Sequence, residues 1–185
     1  IVLAEDGKKM AKKLKNYPDP MVVMEKYGAD ALRATMLSST VVKGQELLID
    51  KEGKMVHETL RLFIKPIWNA YNFFTLYANA DGMKGEMIDY TKLPNNSIDP
   101  YILAKLKISV EIIEKGLESF DSQSAYKAIE DFFEILNNWY IRRSRKRFWK
   151  SEKTNDKIYA YNTLYTVMYH LSISVAPILP MISEY

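Results

Sequence analysis

The sequence predicts a mainly α protein, a bundle of four or more antiparallel helices preceded by a short N-terminal connecting module. Apolar residues recur at steps of three and four over long stretches from about residue 50 onward. Glycine and proline, seven of each, sit mostly in the first half and at the far end, where they punctuate those stretches rather than break them up. A hydrophobic content of 48% over 185 residues suits one core of ordinary size, too apolar for a disordered chain and too short for several independent domains. No apolar run approaches the roughly 20 residues that span a bilayer, so no membrane partner is expected.

The elements follow in order. Residues 5–20, EDGKKMAKKLKNYPDP, offer chiefly Met10 and Leu14 to a core, and Pro18 and Pro20 block helix continuation; they read as a mobile basic loop. Two short helices are expected at 20–26 and 29–38, separated by Gly28. Residues 39–50 read as extended or irregular because Thr40, Val41 and Val42 are β-branched. These pieces form the N-terminal module, residues 1–45, with the main boundary near 44–52 and the bundle over 46–185.

The first long helix carries the stripe Val56, Leu60, Phe63, Ile67, Tyr71, Phe74, Ala78, with a kink expected at Pro66 and an end at Gly82 and Gly85. A polar connection through Pro94 and Ser97 leads to Asp99-Pro100, read as an N-cap followed by proline at the first helical position. The second helix shows Leu103, Leu106, Val110, Ile113, Leu117, and Phe120-Asp121-Ser122 supplies a new capping signal. The third is expected from about Ser122 to Phe148. A fourth stripe, Ile158, Tyr161, Leu164, Met168, Leu171, Val175, runs to Pro177 and Pro180. Four amphipathic helices make a bundle.

Composition excludes much chemistry. With no cysteine and two histidines there is no disulfide framework, no thiol nucleophile and no thiolate zinc site, and a reducing compartment fits. His57 and His170 lack a second ligand at metal spacing and read as surface or core-edge residues, so no metal site is expected. The run Trp68, Tyr71, Phe73, Phe74, Tyr77 reads as core, and Glu130, Asp131 and Glu134 as a solvated face.

Two basic segments remain. In Asn137-Asn138-Trp139-Tyr140-Ile141-Arg142-Arg143-Ser144-Arg145-Lys146-Arg147-Phe148-Trp149-Lys150, six of the nine residues from Arg142 onward are cationic. Projected at about 100° per residue, the apolar arc Ile129, Phe132, Leu136, Trp139, Tyr140 continues into Arg143, Arg147 and Lys150. A stripe that turns basic suggests a helix offering guanidinium groups and rings to an anionic partner, a phosphodiester backbone being the obvious one. The plainer alternative is a solvated, salt-bridged helix end whose cations suit the helix dipole. The second segment, Lys8 to Lys15, can bring ammonium groups onto a triphosphate; taken alone, with no P-loop glycines and no metal-binding carboxylate pair beside it, it reads rather as a solvated basic loop.

Taken in order, DGKKMAKKLKNYPDP, EKYGADALR, NNWYIRRSRKRFW and APILPMISEY resemble class I aminoacyl-tRNA synthetases, and among them the isoleucyl-tRNA synthetases of the eukaryotic-like type. The resemblance covers essentially the whole chain. It implies an anticodon-binding helical bundle and, ahead of it, an ATP-binding loop of Lys9, Met10, Ala11, Lys12 and Lys13, in which Lys9 and Lys12 are catalytic. Lys12 matches the lysine that contacts ATP and stabilises the activation transition state. It implies tRNA binding by Asn138, Trp139, Arg142, Arg143, Arg145, Lys146, Arg147 and Lys150. The family's reaction uses ATP and magnesium to form isoleucyl-adenylate and then charges the matching tRNA in the cytoplasm. The chain by itself is expected to be inactive and to hold neither ATP nor magnesium, because the catalytic, editing and C-terminal parts lie elsewhere. The start at Ile1, with no initiator Met and no secretory signal, fits a piece of a longer protein. The loop departs from the family pattern: Ala11 replaces a serine, a loss worth about 0.5 to 1.5 kcal/mol if that hydroxyl made one hydrogen bond. A stand-alone helical RNA-binding or protein-docking module is the alternative.

Overall fold

Apolar side chains at helical spacing assemble around one principal core, with Phe63, Ile102, Ile113, Ile129, Phe132, Leu136, Leu164 and Leu171 fully enclosed. The computed structural model describes residues 1–94 and 97–185; Asn95 and Asn96, within the expected polar connection, lie outside the described residues. The chain opens with β1 (Val2–Ala4), which pairs in parallel with β2 (Leu47–Ile49) in the register Val2 to Leu47. This pairing, unexpected from the sequence, carries the N-terminal module past residue 45. Between the strands lie α1 (Pro20–Tyr27), capped by the Asp19 carboxylate, and α2 (Ala29–Ser38). Gly28 separates them at φ 89°, a conformation open to a residue without Cβ. Where extended or irregular chain was expected, Thr40–Lys43 forms a short 3-10 turn ahead of β2.

The first long helix is α3 (Lys54–Thr59), a π-helical turn (Leu60–Ile64) and α4 (Lys65–Asp81). The widened turn stands directly ahead of Pro66, whose ring removes a donor and crowds the carbonyl four residues back; the expected irregularity is absorbed as a π turn rather than a break. The second helix, α5 (Asp99–Glu118), begins at Asp99 itself and Ile98 occupies the cap position, so the expected Asp99 cap is not made. Its carboxylate is turned inward instead. At the α5 crossing with α6, Gly116 lets the backbones close: a Cβ there would stand 3.1 Å from Ala125 N and Asp121 O. Asp121 caps the next helix by accepting from Ser124 N, as its sequence signal indicated. That third helix comprises α6 (Ser122–Ile135), a second π turn (Leu136–Ile141) and α7 (Arg142–Trp149). Asn137 in this turn donates to Pro66 O at 3.0 Å, so the turn meets the start of α4 just past the first widened turn. The fourth helix, α8 (Asn155–Val175), is followed by the short α9 (Pro180–Glu184).

The N-terminal module is fastened to the bundle by polar contacts. Buried Asp30 on α2 accepts from Ile182 N (2.8 Å) and Met181 N (3.3 Å), and Arg33 donates to Pro177 O (3.0 Å). From α6, Ser122 Oγ donates to Leu37 O (2.7 Å) and Gln123 Nε2 to Ser39 O (2.9 Å).

Two buried ionic clusters pin the helices to one another. In the first, Asp99 is completely enclosed and receives Arg147 in a two-pronged bond, Nη1 to Oδ1 and Nη2 to Oδ2, both 2.7 Å, together with the Tyr140 hydroxyl at 2.7 Å. Arg147 Nη2 also donates to Asp156 O (2.8 Å), and its Nε lies 2.9 Å from the Asp156 carboxylate. Burial pushes the guanidinium pKa down, but Asp99 and its neighbours outweigh it and hold Arg147 above its ordinary value. In the second, Lys157 on α8 lies 2.6 Å from Asp81 at the end of α4, donates to Lys150 O, and shares Asp81 with the Tyr161 hydroxyl. Burial raises the Asp81 pKa, yet the bonds from Lys157 and Tyr161 prevail and hold the carboxyl below its usual range.

Asp99→Ala should cost up to about 3 to 5 kcal/mol, because Arg147 would remain enclosed with only the half-exposed Asp156 carboxylate beside it, whereas replacing Asp99 and Arg147 together by Leu and Met should cost less. Urea unfolding of the three chains checks this; a double variant weaker than Asp99→Ala would contradict it. For Asp81, a depressed folded pKa means its stabilisation is complete above the unfolded value of about 4 and is lost as pH falls through the folded value. Asp81→Asn should therefore be less stable than the parent at neutral pH and lose less stability on acidification below about pH 4, as read from the thermal midpoint against pH.

Candidate nucleic-acid interface

The π turn decides which way the basic helix faces. A widened turn accommodates about one residue more than an α turn, so everything beyond it is rotated by roughly 100° from a straight projection. The buried stripe accordingly passes from Leu136 through Tyr140 and Ile141 to Ser144 and Phe148. It does not become basic. Arg147, expected on the presented face, is instead turned inward with its side chain only 12% exposed, and serves Asp99. Its assignment to tRNA binding is corrected by this geometry, since all its strong donors are engaged or enclosed within the protein.

The other expected residues stay outside. Asn138, Arg142, Arg143, Arg145, Lys146 and Lys150 are exposed, and Trp139 is partly buried. Among the described residues, none of these five cations lies within ion-pair distance of a carboxylate. Arg143 holds its guanidinium 5.3 Å from the Trp139 ring centroid, and Trp139 in turn leans on Tyr101 of α5. On the opposite flank, Asn138 and Arg145 line a groove of about 640 Å³ between α4 and the third helix, with Pro66, Asn69 and Asn137. In the acidic patch at the far end, Lys127 bonds Asp131 (2.6 Å) and Glu130 (3.1 Å). Trp149 is exposed and donates from Nε1 to the Tyr77 hydroxyl at 2.7 Å, tying the end of α7 to α4. Sequence reasoning missed Asn69 and Tyr101. Tyr101 had a signal, a ring one turn before Lys105 at the head of a helix, but nothing local to connect it to Trp139.

The lysine loop is more organised than its composition indicated. Lys9 forms an antiparallel bridge with Leu3, and Ala4 N donates to Lys8 O at 2.9 Å. Asn16 clamps the turn, accepting from Ala11 N (3.0 Å) and donating to Lys9 O (3.3 Å). The loop is thus held without a hydroxyl at position 11. Met10 lines an apolar pocket with Val2, Tyr17, Val23, Met36 and Ile49, while Lys9, Lys12 and Lys13 project outward with no carboxylate at ion-pair distance among the described residues. Such a loop can meet the negative charge of a triphosphate. It does not fit a metal: among the described residues no three His, Cys, Asp or Glu side chains come together. Nor does a hydrogen bond or ion pair among the described residues join this loop to α7. No helix among the described residues is long and apolar enough to cross a membrane.

Comparison with known proteins gives this arrangement a context. Residues 1–48 match the family model of class I tRNA synthetases (I, L, M and V), and residues 99–185 match that of the anticodon-binding domain of tRNA ligase. Over 184 residues the chain is 61% identical to isoleucine–tRNA ligase of Rickettsia peacockii (strain Rustic) and 62% identical to that of Rickettsia bellii (strain OSU 85-389), in each case along 100% of its own length. It spans only 17% and 16% of those two relatives. Among solved structures, the LeuRS of Agrobacterium radiobacter K84 in a ternary complex with tRNA and LeuAMS superposes with a TM-score of 0.70 at 20% identity, over 100% of this chain and 20% of that one. Methionyl-tRNA synthetase of Mycobacterium tuberculosis, in complex with methionyl-adenylate, gives 0.70 at 19% identity, over 99% and 36%. The fold is therefore shared across synthetases of different specificity, while the sequence itself is close to one of them. By the two family matches and the identity that runs from end to end, the chain matches a segment of the isoleucine–tRNA ligases, which are class I tRNA synthetases.

Proposed function

We propose that this chain grips tRNA for an isoleucine–tRNA ligase and supplies one loop to its ATP site. The observation that carries the reading is the set Arg142, Arg143, Arg145, Lys146 and Lys150, exposed and, among the described residues, without carboxylate partners, on a helix whose remaining arginine is locked to Asp99. Unneutralised guanidinium groups on a rigid helix suit phosphate oxygens, and the anchoring of Arg147 fixes the helix that presents them. The bundle would take the anticodon arm of isoleucine tRNA, and the N-terminal module through β2 would connect it to the catalytic part. On the Asn16-clamped loop, Lys9 and Lys12, flanked by Lys13, Met10 and Ala11, would neutralise charge as pyrophosphate leaves ATP. In this reading the whole enzyme, working in the cytoplasm, activates isoleucine with ATP and transfers it to tRNA. Magnesium would be bound by other parts of the enzyme, along with the catalytic, editing and C-terminal segments that are this chain's partners.

Fluorescence titration with isoleucine tRNA and valine tRNA, each at two salt concentrations, tests the assignment. Arg142→Glu with Arg145→Glu should weaken binding of both and reduce the salt slope by about one for each phosphate that is no longer neutralised. Unchanged affinity in a folded variant would remove this face from consideration. Tighter binding of the isoleucine tRNA would show that the bundle contributes to selection as well as to grip.

A further inference from the structure

The turn between α5 and α6 holds out a side chain that the rest of the chain does not cover. Helix α5 ends in a double closure, Asp121 N donating to Gly116 O (2.7 Å) and Phe120 N to Leu117 O (3.1 Å). That pair of bonds calls for a left-handed residue at position 120, where glycine is the usual occupant and asparagine the next. Phe120 stands there at φ 59°, and among the described residues Lys15 is the only other non-glycine residue with positive φ. A bulky residue in that region is crowded between its own Cβ and the backbone. The ring is 92% exposed, more than any other large apolar side chain among the described residues. A lone exposed apolar residue needs no explanation, but this one is both strained and exposed, and glycine would remove both penalties. Backbone strain of this kind clusters at sites of function.

The surroundings narrow what such a ring can meet. Standing proud of the surface, it has to enter a cavity in a partner rather than receive a small ligand itself. Glu118 and Asp121 flank it, and their carboxylates disfavour a phosphate backbone. The same turn is bonded to the N-terminal module: Ser122 Oγ donates to Leu37 O, Gln123 Nε2 donates to Ser38 O (3.1 Å), and Lys43 Nζ lies 3.9 Å from Asp121. Those module residues fall within the stretch 1–48 that matches the class I synthetases, and the chain spans only 17% of one such relative, so most of the ligase lies outside it. We propose that Phe120 is a docking knob for the catalytic part of the ligase, received in an apolar socket beside the N-terminal module. This rests on the reading that the module joins the bundle to the catalytic part, and it adds a noncovalent contact to that covalent link. A ring fixed in place by two backbone bonds loses little freedom when it docks.

Hydroxyl-radical footprinting read by mass spectrometry reports the accessibility of Phe120 in the unaltered protein. In the full 185-residue chain the ring should be oxidised freely, whereas in the whole ligase without tRNA it should be protected about fivefold. Equal oxidation in the two would overturn the proposal, as would protection that appears only when tRNA is added, which assigns the ring to RNA. Phe120→Gly should raise the thermal midpoint of the 185-residue chain by about 2 to 4 °C, yet shorten the half-life of the whole ligase at elevated temperature about twofold. Phe120→Tyr, which keeps the ring, should leave both values at those of the parent. A glycine variant that lengthens the half-life of the ligase as well would overturn the knob. Lys12→Ala in the whole ligase separates this inference from the reading beneath it. If that variant loses ATP–pyrophosphate exchange while Phe120 is oxidised equally in chain and ligase, the knob alone falls; if exchange is unimpaired, the module is not at the catalytic part and both fall.

Discussion

The enclosed pair of Asp99 and Arg147 is the interaction around which the rest of the bundle is arranged. It joins the first residue of α5 to the last turns of the third helix, and through Asp156 it reaches the start of α8. An ion pair of this kind contributes little net stability once desolvation is counted, because removing two charges from water offsets most of their attraction. Its effect is on geometry. A guanidinium fork and a carboxylate fit in one relative orientation, and the Tyr140 hydroxyl completes the carboxylate's coordination, so three helices are set in register by groups that tolerate no sliding.

That constraint gives the basic helix its form. With one arginine committed inward, its neighbours are held outward on a backbone whose end is further tied by Trp149 to Tyr77 and by Lys157 to the carbonyl of Lys150. The surface cations therefore belong to a rigid element, in contrast to the lysines of the N-terminal loop, which is shaped by one amide side chain and a two-strand pairing. The two basic sites differ accordingly in character: one presents fixed donors, the other presents compact charges on flexible stems.

Most of the architecture was legible because helical periodicity is a local property. The stripes over 54–81, 99–118, 122–149 and 155–175, the Asp121 cap and the Gly28 break follow from residues within a few positions of one another. The failures have non-local or geometric origins. The β1 and β2 pairing joins residues 45 positions apart, as Val2 meets Leu47, and neither segment shows alternation long enough to announce a strand. The second π turn contains no proline and has no sequence signal; its meeting with Pro66 through Asn137 exists only in three dimensions. That single turn carries Arg143 off the core stripe, while Arg147 is drawn inward by Asp99, a partner on another helix. Asp99 looked like a cap because its spacing and the following proline are those of one, but a buried guanidinium is a stronger attraction for a carboxylate than an exposed backbone amide.

The clamp of Asp30 on Ile182 has a meaning for how the protein comes into being. Residues 152 positions apart are bonded through a buried carboxylate, which among the described residues accepts from the amides of residues 181 and 182 and so waits until those have been made. During synthesis α2 can form early, yet its polar contacts to residues 177–182 are the last to close, long after the helices between have had time to pack. The N-terminal module, although it precedes the bundle in the chain, is thus seated on it only when α9 arrives to receive it.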